Sequence, residues 1–372
     1  MTGGAVATRV ALLAPGELFG GVETQLLDLG TRLHELCARP PLLILFHDRE
    51  LAARTREAGL RTVILPARHR YDPSAARRLS ELLAREDADV LHVHGYRAAV
   101  TAAVAGGRLG VPVVKTEHGL PEPAAGPVGA LKTALNRRLD GWATRRTGAA
   151  VRYVTRDIMD RCADVHRGLD RKVIHNGIEP LERDATTRPP ELSPDGFHAG
   201  IVGRVSAVKG IDHALRALAS GDVPSRVRLH VVGDGPLRET LAREAADLGL
   251  GGRVLCHGFR RDVYDWLAHL DVLLMPSLHE GLPYTLLEAM SLGTAVVASR
   301  VGGLAEVLRD GETGLLVEVG DAEGIAAAVA RLADDERLRA RLGRGAAEAQ
   351  RAGYTLRDMT DAYLAAYAEA TG

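Results

Sequence analysis

Two glutamates, Glu280 and Glu288, are separated by seven residues in the stretch HEGLPYTLLEAMSLG. Gly281, Leu282 and Pro283 make a turn after Glu280, and helical spacing begins directly behind it. Glu280 is therefore expected in a loop and Glu288 about one to two turns into a helix. The first N–H groups of a helix have no intrahelical acceptor, so the amides of Leu282, Tyr284 and Thr285 form a ready anion site. Such a site can hold a diphosphate between two carboxylates suited to sugar hydroxyls. A second set of chemistry-bearing residues lies in IVGRVSAVKGID, where an apolar run ends at Gly203 and Arg204 and Lys209 follow on the loop that opens the next helix. Two cations at the C-terminal end of the first strand of a doubly wound sheet, where such sheets bind ligands, make a diphosphate clamp. Singly, each of these residues reads as a solvated surface charge; the combination carries the chemistry.

The elements that must position them are legible as well. Short runs rich in Val, Ile and Leu recur along the chain: RVALLAPG, PLLILFH, ADVLHVHG, PVVKTEHG and AVRYVT, then HAGIVGR, RLHVVGDG, RVLCHG, DVLLMPS, TAVVAS and TGLLVEV. Most are continuously apolar, as strands buried on both faces are, and stretches of helical spacing such as ETQLLDLGTRLHEL and LRETLAREAADLG lie between them. The alternation predicts an α/β chain of two doubly wound, Rossmann-like domains with parallel sheets. It breaks at EPLERDATTRPPELSPDGF, which sets a first domain at 1–178, a linker at 179–197 and a second domain at 198–353. A closing helix is expected over 354–372.

Composition restricts the function classes. At 372 residues, with 46% hydrophobic and 26% charged residues, the chain is that of an ordinary folded protein and long enough for two cores. Cys37, Cys162 and Cys256 offer neither a disulfide framework nor a CxxC pair, which fits a reducing cytoplasm. The N-terminal MTGGAVATRVALLAPG reads as a first strand rather than a leader, and no apolar run approaches the ~18 residues of a membrane helix. A net charge of −1 argues against a nucleic-acid partner. That average conceals an asymmetry: residues 1–190 hold 28 Lys and Arg against 22 Asp and Glu, and residues 191–372 hold 19 against 26. Much of the basic excess lies between Lys132 and Lys172, where NRRLDGWATRRTG sets paired arginines beside Trp142. This is either a solvated helix face or a basic surface that rests against an anionic membrane and a lipid-linked acceptor.

The block from Glu280 to Glu288, with its intervening glycine and proline, resembles the E-x7-E motif of family 4 glycosyltransferases. Further segments fall in that family's order: VVGDGP at 231–236, HGF at 257–259, DVLLMPS at 271–277, VGGLAE at 301–306, and IHNGIE at 174–179. The resemblance implies a GT-B architecture, two Rossmann-like domains facing each other across a cleft, with the donor bound mainly by the second and the closing helix crossing back onto the first. It implies that Glu288 bonds the ribose hydroxyls, that Glu280 faces the hydroxyls of the donated sugar, and that Arg204 and Lys209 serve the diphosphate. The segment around Gly258 and Phe259 would lie by the nucleotide base. His118, which ends PVVKTEHG, matches the family histidine that faces the donor sugar. Gly20 and Gly21, between a first strand and its helix, would allow close backbone approach to the donor phosphate and the acceptor. His92 and His94 share one face of a strand; without a third ligand at useful spacing they read as packing or acceptor-side residues rather than a metal pair.

The sequence therefore points to transfer of a sugar from a nucleotide-sugar donor, uridine rather than guanosine diphosphate favoured, to a glycan, lipid-linked or small-molecule acceptor hydroxyl. Retention of configuration follows from the resemblance. No metal or other cofactor is expected, because Arg204, Lys209 and helix N-termini supply the positive charge that an Asp-x-Asp metal site would otherwise bring. The rival readings are a nucleotide-sugar epimerase, a pyridoxal phosphate phosphorylase, for which no cofactor lysine is marked, and a binding protein without activity.

Overall fold

The computed structural model describes residues 8–17, 20–69, 72–120 and 126–372; residues 1–7, part of the stretch read above as a first strand and no leader, lie outside it. The chain divides into two compact units, one running to Asn176 and taking in Leu356–Gly372, the other Gly177–Thr355.

The first unit is a seven-stranded parallel sheet. Its strands are β1 (Val10–Ala14), β2 (Leu42–Leu45), β3 (Arg61–Ile64), β4 (Val90–His94), β5 (Val113–Glu117), β6 (Ala150–Tyr153) and β7 (Arg171–Val173), in the spatial order β3-β2-β1-β4-β5-β6-β7. Alternate residues of β1 enter different cores: Ala11 and Leu13 pack with the Pro73–Arg85 and Gly95–Ala105 helices, while Val10, Leu12 and Ala14 pack with the Gly21–Leu36 helix and the closing Leu356–Thr371 helix. Coverage of both faces explains why β1 and β2 read as unbroken apolar runs, whereas the edge strands β3 and β7, only partly buried, carry no such run and were not picked out from the sequence. Leu356, Met359, Tyr363, Ala366 and Tyr367 place the closing helix inside the first unit's core, and a chain of buried hydrogen bonds fixes it: Tyr363 Oη to Thr116 Oγ1 at 2.9 Å, Thr116 Oγ1 to His92 Nε2 at 2.7 Å, and His92 Nδ1 to Tyr367 Oη at 2.8 Å.

The second unit repeats the plan with six strands: β8 (Phe197–Val202), β9 (Val227–Val232), β10 (Val254–Gly258), β11 (Val272–Met275), β12 (Ala295–Ser299) and β13 (Leu315–Val317), ordered β10-β9-β8-β11-β12-β13. Both sheets reverse direction of growth beside their first strand, between β1 and β4 and between β8 and β11, and ligands of doubly wound sheets bind at the C-terminal ends of those strands. Where the sequence suggested a linker, at 179–197, the chain runs along the second unit: Leu181 N donates to Ser291 Oγ at 2.7 Å, Arg183 Nε to Leu292 O at 3.0 Å, and Thr187 N to Asp265 Oδ1 at 2.9 Å. Among the described residues no helix is long and apolar enough to cross a membrane.

Candidate functional site

The reversal point of the second sheet is where the two sequence-selected sets meet. Behind β8, Gly203 and the exposed Arg204 lead into a short 3-10 turn, Ala207–Lys209. Behind β11, Pro276 to Pro283 form the loop that enters the Tyr284–Ser291 helix. The loops are stitched by Leu278 N donating to Val208 O at 2.8 Å. Their approach depends on Gly210, which has φ +58° and where a Cβ would lie 2.1 Å from Pro276 O. From the other side Gly303 N donates to Gly281 O at 3.0 Å, and at Gly302, φ +48°, a Cβ would lie 2.0 Å from Glu280 O. Any side chain at either position would push the Glu280 loop away.

Held this way, Glu280 Oε1 accepts from Lys209 Nζ at 2.6 Å and from Ser277 Oγ at 2.8 Å. The lysine and glutamate side chains are 19% and 11% exposed, so a cation and a carboxylate stand side by side, mostly out of water but reachable. Glu288 lies one turn into the helix and is buried, and Leu282 and Tyr284 at the helix entrance are buried too. Thr285 is half-buried in the first turn. Gly258 ends β10 at φ +69°, its carbonyl accepting from Gly233 N at 2.8 Å, and the following Phe259 is 66% exposed. It occupies the same sheet edge two strands from β8, a lateral distance of about 10 Å. An extended ligand bearing an anionic middle, hydroxyls at one end and a flat ring at the other suits that row.

The remaining selected residues lie in the first unit. Gly20 caps the Gly21–Leu36 helix at φ −165°, and a Cβ there would meet nothing closer than Glu23 Oε2 at 3.8 Å. The fold therefore tolerates a side chain at Gly20, and its glycine is not explained by packing. His118 follows β5 and His94 ends β4; His94 Nδ1 and His118 Nε2 are 2.9 Å apart, and burial pushes the His118 pKa down to about 4.

Sequence reasoning missed Ser277, whose only signal was its place at a strand end three residues before Glu280. It also missed a buried ionic cluster. Lys115 is wholly buried, its Nζ 2.6 Å from Asp140 Oδ2 and in contact with Glu117, while His166 Nε2 lies 3.4 Å from Asp140 Oδ2. Burial works against the lysine's charge, but Glu117 and Asp140 outweigh it and its pKa rises. Glu117, Asp140 and His166 form the one triad among the described residues with metal-ligand spacing, yet the Lys115 ammonium already supplies the cation between the carboxylates. An Asp-x-Asp triplet does occur, Asp87-Ala88-Asp89, at the N-terminal end of β4; its carboxylates accept from Arg39 and from Arg9 N, which makes it a structural clasp at the sheet edge opposite the ligand-binding one.

Two doubly wound parallel sheets, each reversing beside its first strand, are the architecture of GT-B proteins. The fold matches the crystal structure of Anabaena Alr3699/HepE in complex with UDP-glucose at a TM-score of 0.83, 21% identity, 97% of this chain and 99% of that one. A profile described as Glycosyltransferase Family 4 matches residues 19–181, and one described as Glycosyl transferases group 1 matches residues 196–335. The D-inositol 3-phosphate glycosyltransferase of Xylanimonas cellulosilytica is 32% identical over 308 residues, 76% of this chain and 72% of that protein. The lipopolysaccharide core biosynthesis glycosyltransferase LpsE of Rhizobium meliloti is 40% identical over 163 residues, 44% of this chain and 47% of that protein. The chain belongs to glycosyltransferase family 4.

Proposed function

We propose that the chain transfers a hexosyl group from a nucleoside-diphosphate sugar, with uridine as the favoured carrier, to an acceptor hydroxyl with retention of configuration. The observation that carries this reading is the Lys209–Glu280 contact at the reversal point of the second sheet, beside the entrance of the Tyr284–Ser291 helix. In the proposed reaction the bond from sugar C1 to the β-phosphate oxygen breaks and its electrons stay on the diphosphate. The acceptor oxygen bonds C1 from the same face, and its proton passes to the departing phosphate. Negative charge grows on the diphosphate, so Arg204, Lys209 and the helix amides stabilise the transition state more than the ground state. Glu280 orients sugar hydroxyls, Glu288 the ribose, and Gly258 and Phe259 the base. Gly20, Gly21 and His118 serve from the first unit. This chemistry runs without a divalent metal. HepE is named in complex with UDP-glucose, and the relatives are named for D-inositol 3-phosphate and for lipopolysaccharide core biosynthesis, which leaves the acceptor class open between a small molecule and a glycan. Incubation with a panel of UDP- and GDP-hexoses, with and without acceptor extracts, tests the reading, and proton NMR of the product reads the anomer. Donor conversion without acceptor would favour an epimerase, and an inverted product would remove same-face transfer.

The basic segment gives a second element, an anionic membrane as the surface on which the acceptor is met. On the Gly126–Thr147 helix, Val128, Leu131, Leu135 and Trp142 recur at helical spacing and are 80%, 71%, 63% and 43% exposed. Lys132, Arg137, Arg138, Arg145 and Arg146 accompany this apolar stripe; Arg137, Arg145 and Arg146 donate to the carbonyls of Arg161, Val165 and Ala103, and no ion pair among the described residues engages the five. Exposed apolar side chains flanked by cations whose charge no neighbouring carboxylate offsets suit a headgroup boundary, each cation contributing about 1 kcal/mol there. Co-sedimentation with phosphatidylglycerol-rich vesicles at low salt should be lost in Leu131→Glu/Leu135→Glu. Equal partition of both proteins would leave a soluble acceptor.

A further inference from the structure

His94 is fully buried, and while its Nδ1 lies 2.9 Å from His118 Nε2, its own Nε2 has no hydrogen-bond partner among the described residues. The rings stack at 5.2 Å between centroids. Burial lowers the pKa of His94 well below its ordinary value and that of His118 to about 4, so at neutral pH both rings are uncharged and each carries a single N–H.

One proton must lie between the two facing nitrogens, which leaves two arrangements. If His118 Nε2–H donates to His94 Nδ1, the lone proton of His94 is used by neither ring's contact and sits on Nε2 as a buried donor without an acceptor. If His94 Nδ1–H donates to His118 Nε2, only a bare lone pair is left unmatched on His94 Nε2. A buried N–H without an acceptor is the rarer and costlier defect, because a donor has one direction in which to be satisfied. The second arrangement therefore prevails, and it places the only proton of His118 on Nδ1, the nitrogen not engaged by His94.

We infer that His94 is a positioning residue that fixes His118 as its Nδ1–H tautomer, so that His118 offers a hydrogen-bond donor, and not a base, to a hydroxyl or phosphate oxygen of the donor substrate. The tautomer half of this inference stands on the geometry of the first unit alone; the substrate half rests on the proposed sugar-facing place of His118. The environment supports rigidity. His92 packs on His94 at 4.1 Å between ring centroids and is itself tied to Thr116 and Tyr367, so the His94 ring is held against rotation by a neighbour with no freedom of its own.

The experiment combines ¹⁵N NMR of histidine side chains with kinetics on three variants. In the wild-type chain the resonance lost in His118→Asn should show Nδ1 protonated and Nε2 bare. His94→Asn, whose amide N–H can take the place of Nδ1–H, should keep that tautomer. His94→Leu should release it to a mixture and lower kcat by roughly tenfold, the loss that follows removal of a histidine's orienting partner, with KM for donor changed less. A wild-type His118 protonated at Nε2 overturns the inference outright, as does a His94→Leu protein with an unchanged His118 tautomer. If the tautomers behave as stated but His118→Asn keeps full kcat, the sugar-facing place of His118 fails while the constraint imposed by His94 stands.

Discussion

Replacing Lys209 with methionine keeps the length of the side chain and removes its charge, which isolates what the ammonium does. Lys209 Nζ lies 2.6 Å from Glu280 Oε1, and the two side chains are 19% and 11% exposed. That is too wet for the ~3–5 kcal/mol of a fully buried broken pair and too dry for the ~0–1 kcal/mol of a surface one. A charge-assisted bond in such a place is worth roughly 1.5–3 kcal/mol, so with a shift of roughly 2–4 °C per kcal/mol for a domain of this size the melting temperature should fall by about 3–12 °C. Ser277 Oγ at 2.8 Å still donates to Glu280, which holds the loss to the lower half of that range. Catalysis should suffer more. A preorganised donor aimed at charge that grows in the transition state costs about 10²–10³ in rate when removed. Steady-state kinetics at saturating donor on Lys209→Met, Glu280→Gln and the double variant form the assay, with calorimetric melting beside it. The double variant should be less than additive in stability by about 0.5–3 kcal/mol. Near-normal kcat in Lys209→Met would refute the diphosphate role, and strictly additive stabilities would refute the energetic reading of the contact.

Glu288→Ala should weaken donor binding while Glu280→Ala lowers turnover, since ribose is remote from the reacting carbon; isothermal titration and kcat on both variants check the division, and equal effects would erase it. Gly302→Ala places a Cβ 2.0 Å from Glu280 O and should cost about 1–3 kcal/mol together with activity, read by urea unfolding and by turnover. Turnover should survive exhaustive EDTA treatment, and loss that magnesium restores would overturn the metal-free mechanism. Stability should decline as pH falls from about 6.5 towards 4: burial holds the His118 pKa at about 4 in the folded chain, so the unfolded chain takes up the proton first, and below about 4 the two forms converge. Urea midpoints across that range should be flatter in His118→Asn.

The placement of the second unit's candidate site was legible in sequence because it is local. Glu280, the Gly-Leu-Pro turn and Glu288 lie within nine consecutive positions, and a loop feeding a helix sets their relative placement with little help from the rest of the fold. Arg204 and Lys209 were readable for a similar reason, since the end of an apolar run marks the strand edge at which a doubly wound sheet binds its ligands. The pattern of runs also carried the parallel, two-sided sheets, because strands buried on both faces leave no polar alternation. The expected linker was less legible. Proline and polar residues at 179–197 suggested a tether, while hydrogen bonds from Leu181, Arg183 and Thr187 fasten it to the second unit, and composition does not encode those partners.

By itself, then, the sequence determined the α/β class, the alternation that sets all the strands but β3 (Arg61–Ile64) and β7 (Arg171–Val173), and the placement of Glu280 before a turn and Glu288 on the helix behind it, all of which follow from spacings of a few positions. Only the tertiary structure decided the pairings across long separations. It brought Lys209 onto Glu280 across 71 positions, His94 onto His118 across 24, and Lys115 between Glu117 and Asp140. It also decided that Val128, Leu131, Leu135 and Trp142 face outward, although their spacing is equally that of a core-facing helix. The reason is physical: local spacing sets which face of an element a side chain shares, but what that face meets depends on how the sheet stacks elements distant in the chain, and charge pairing, tautomer and exposure all depend on that neighbour.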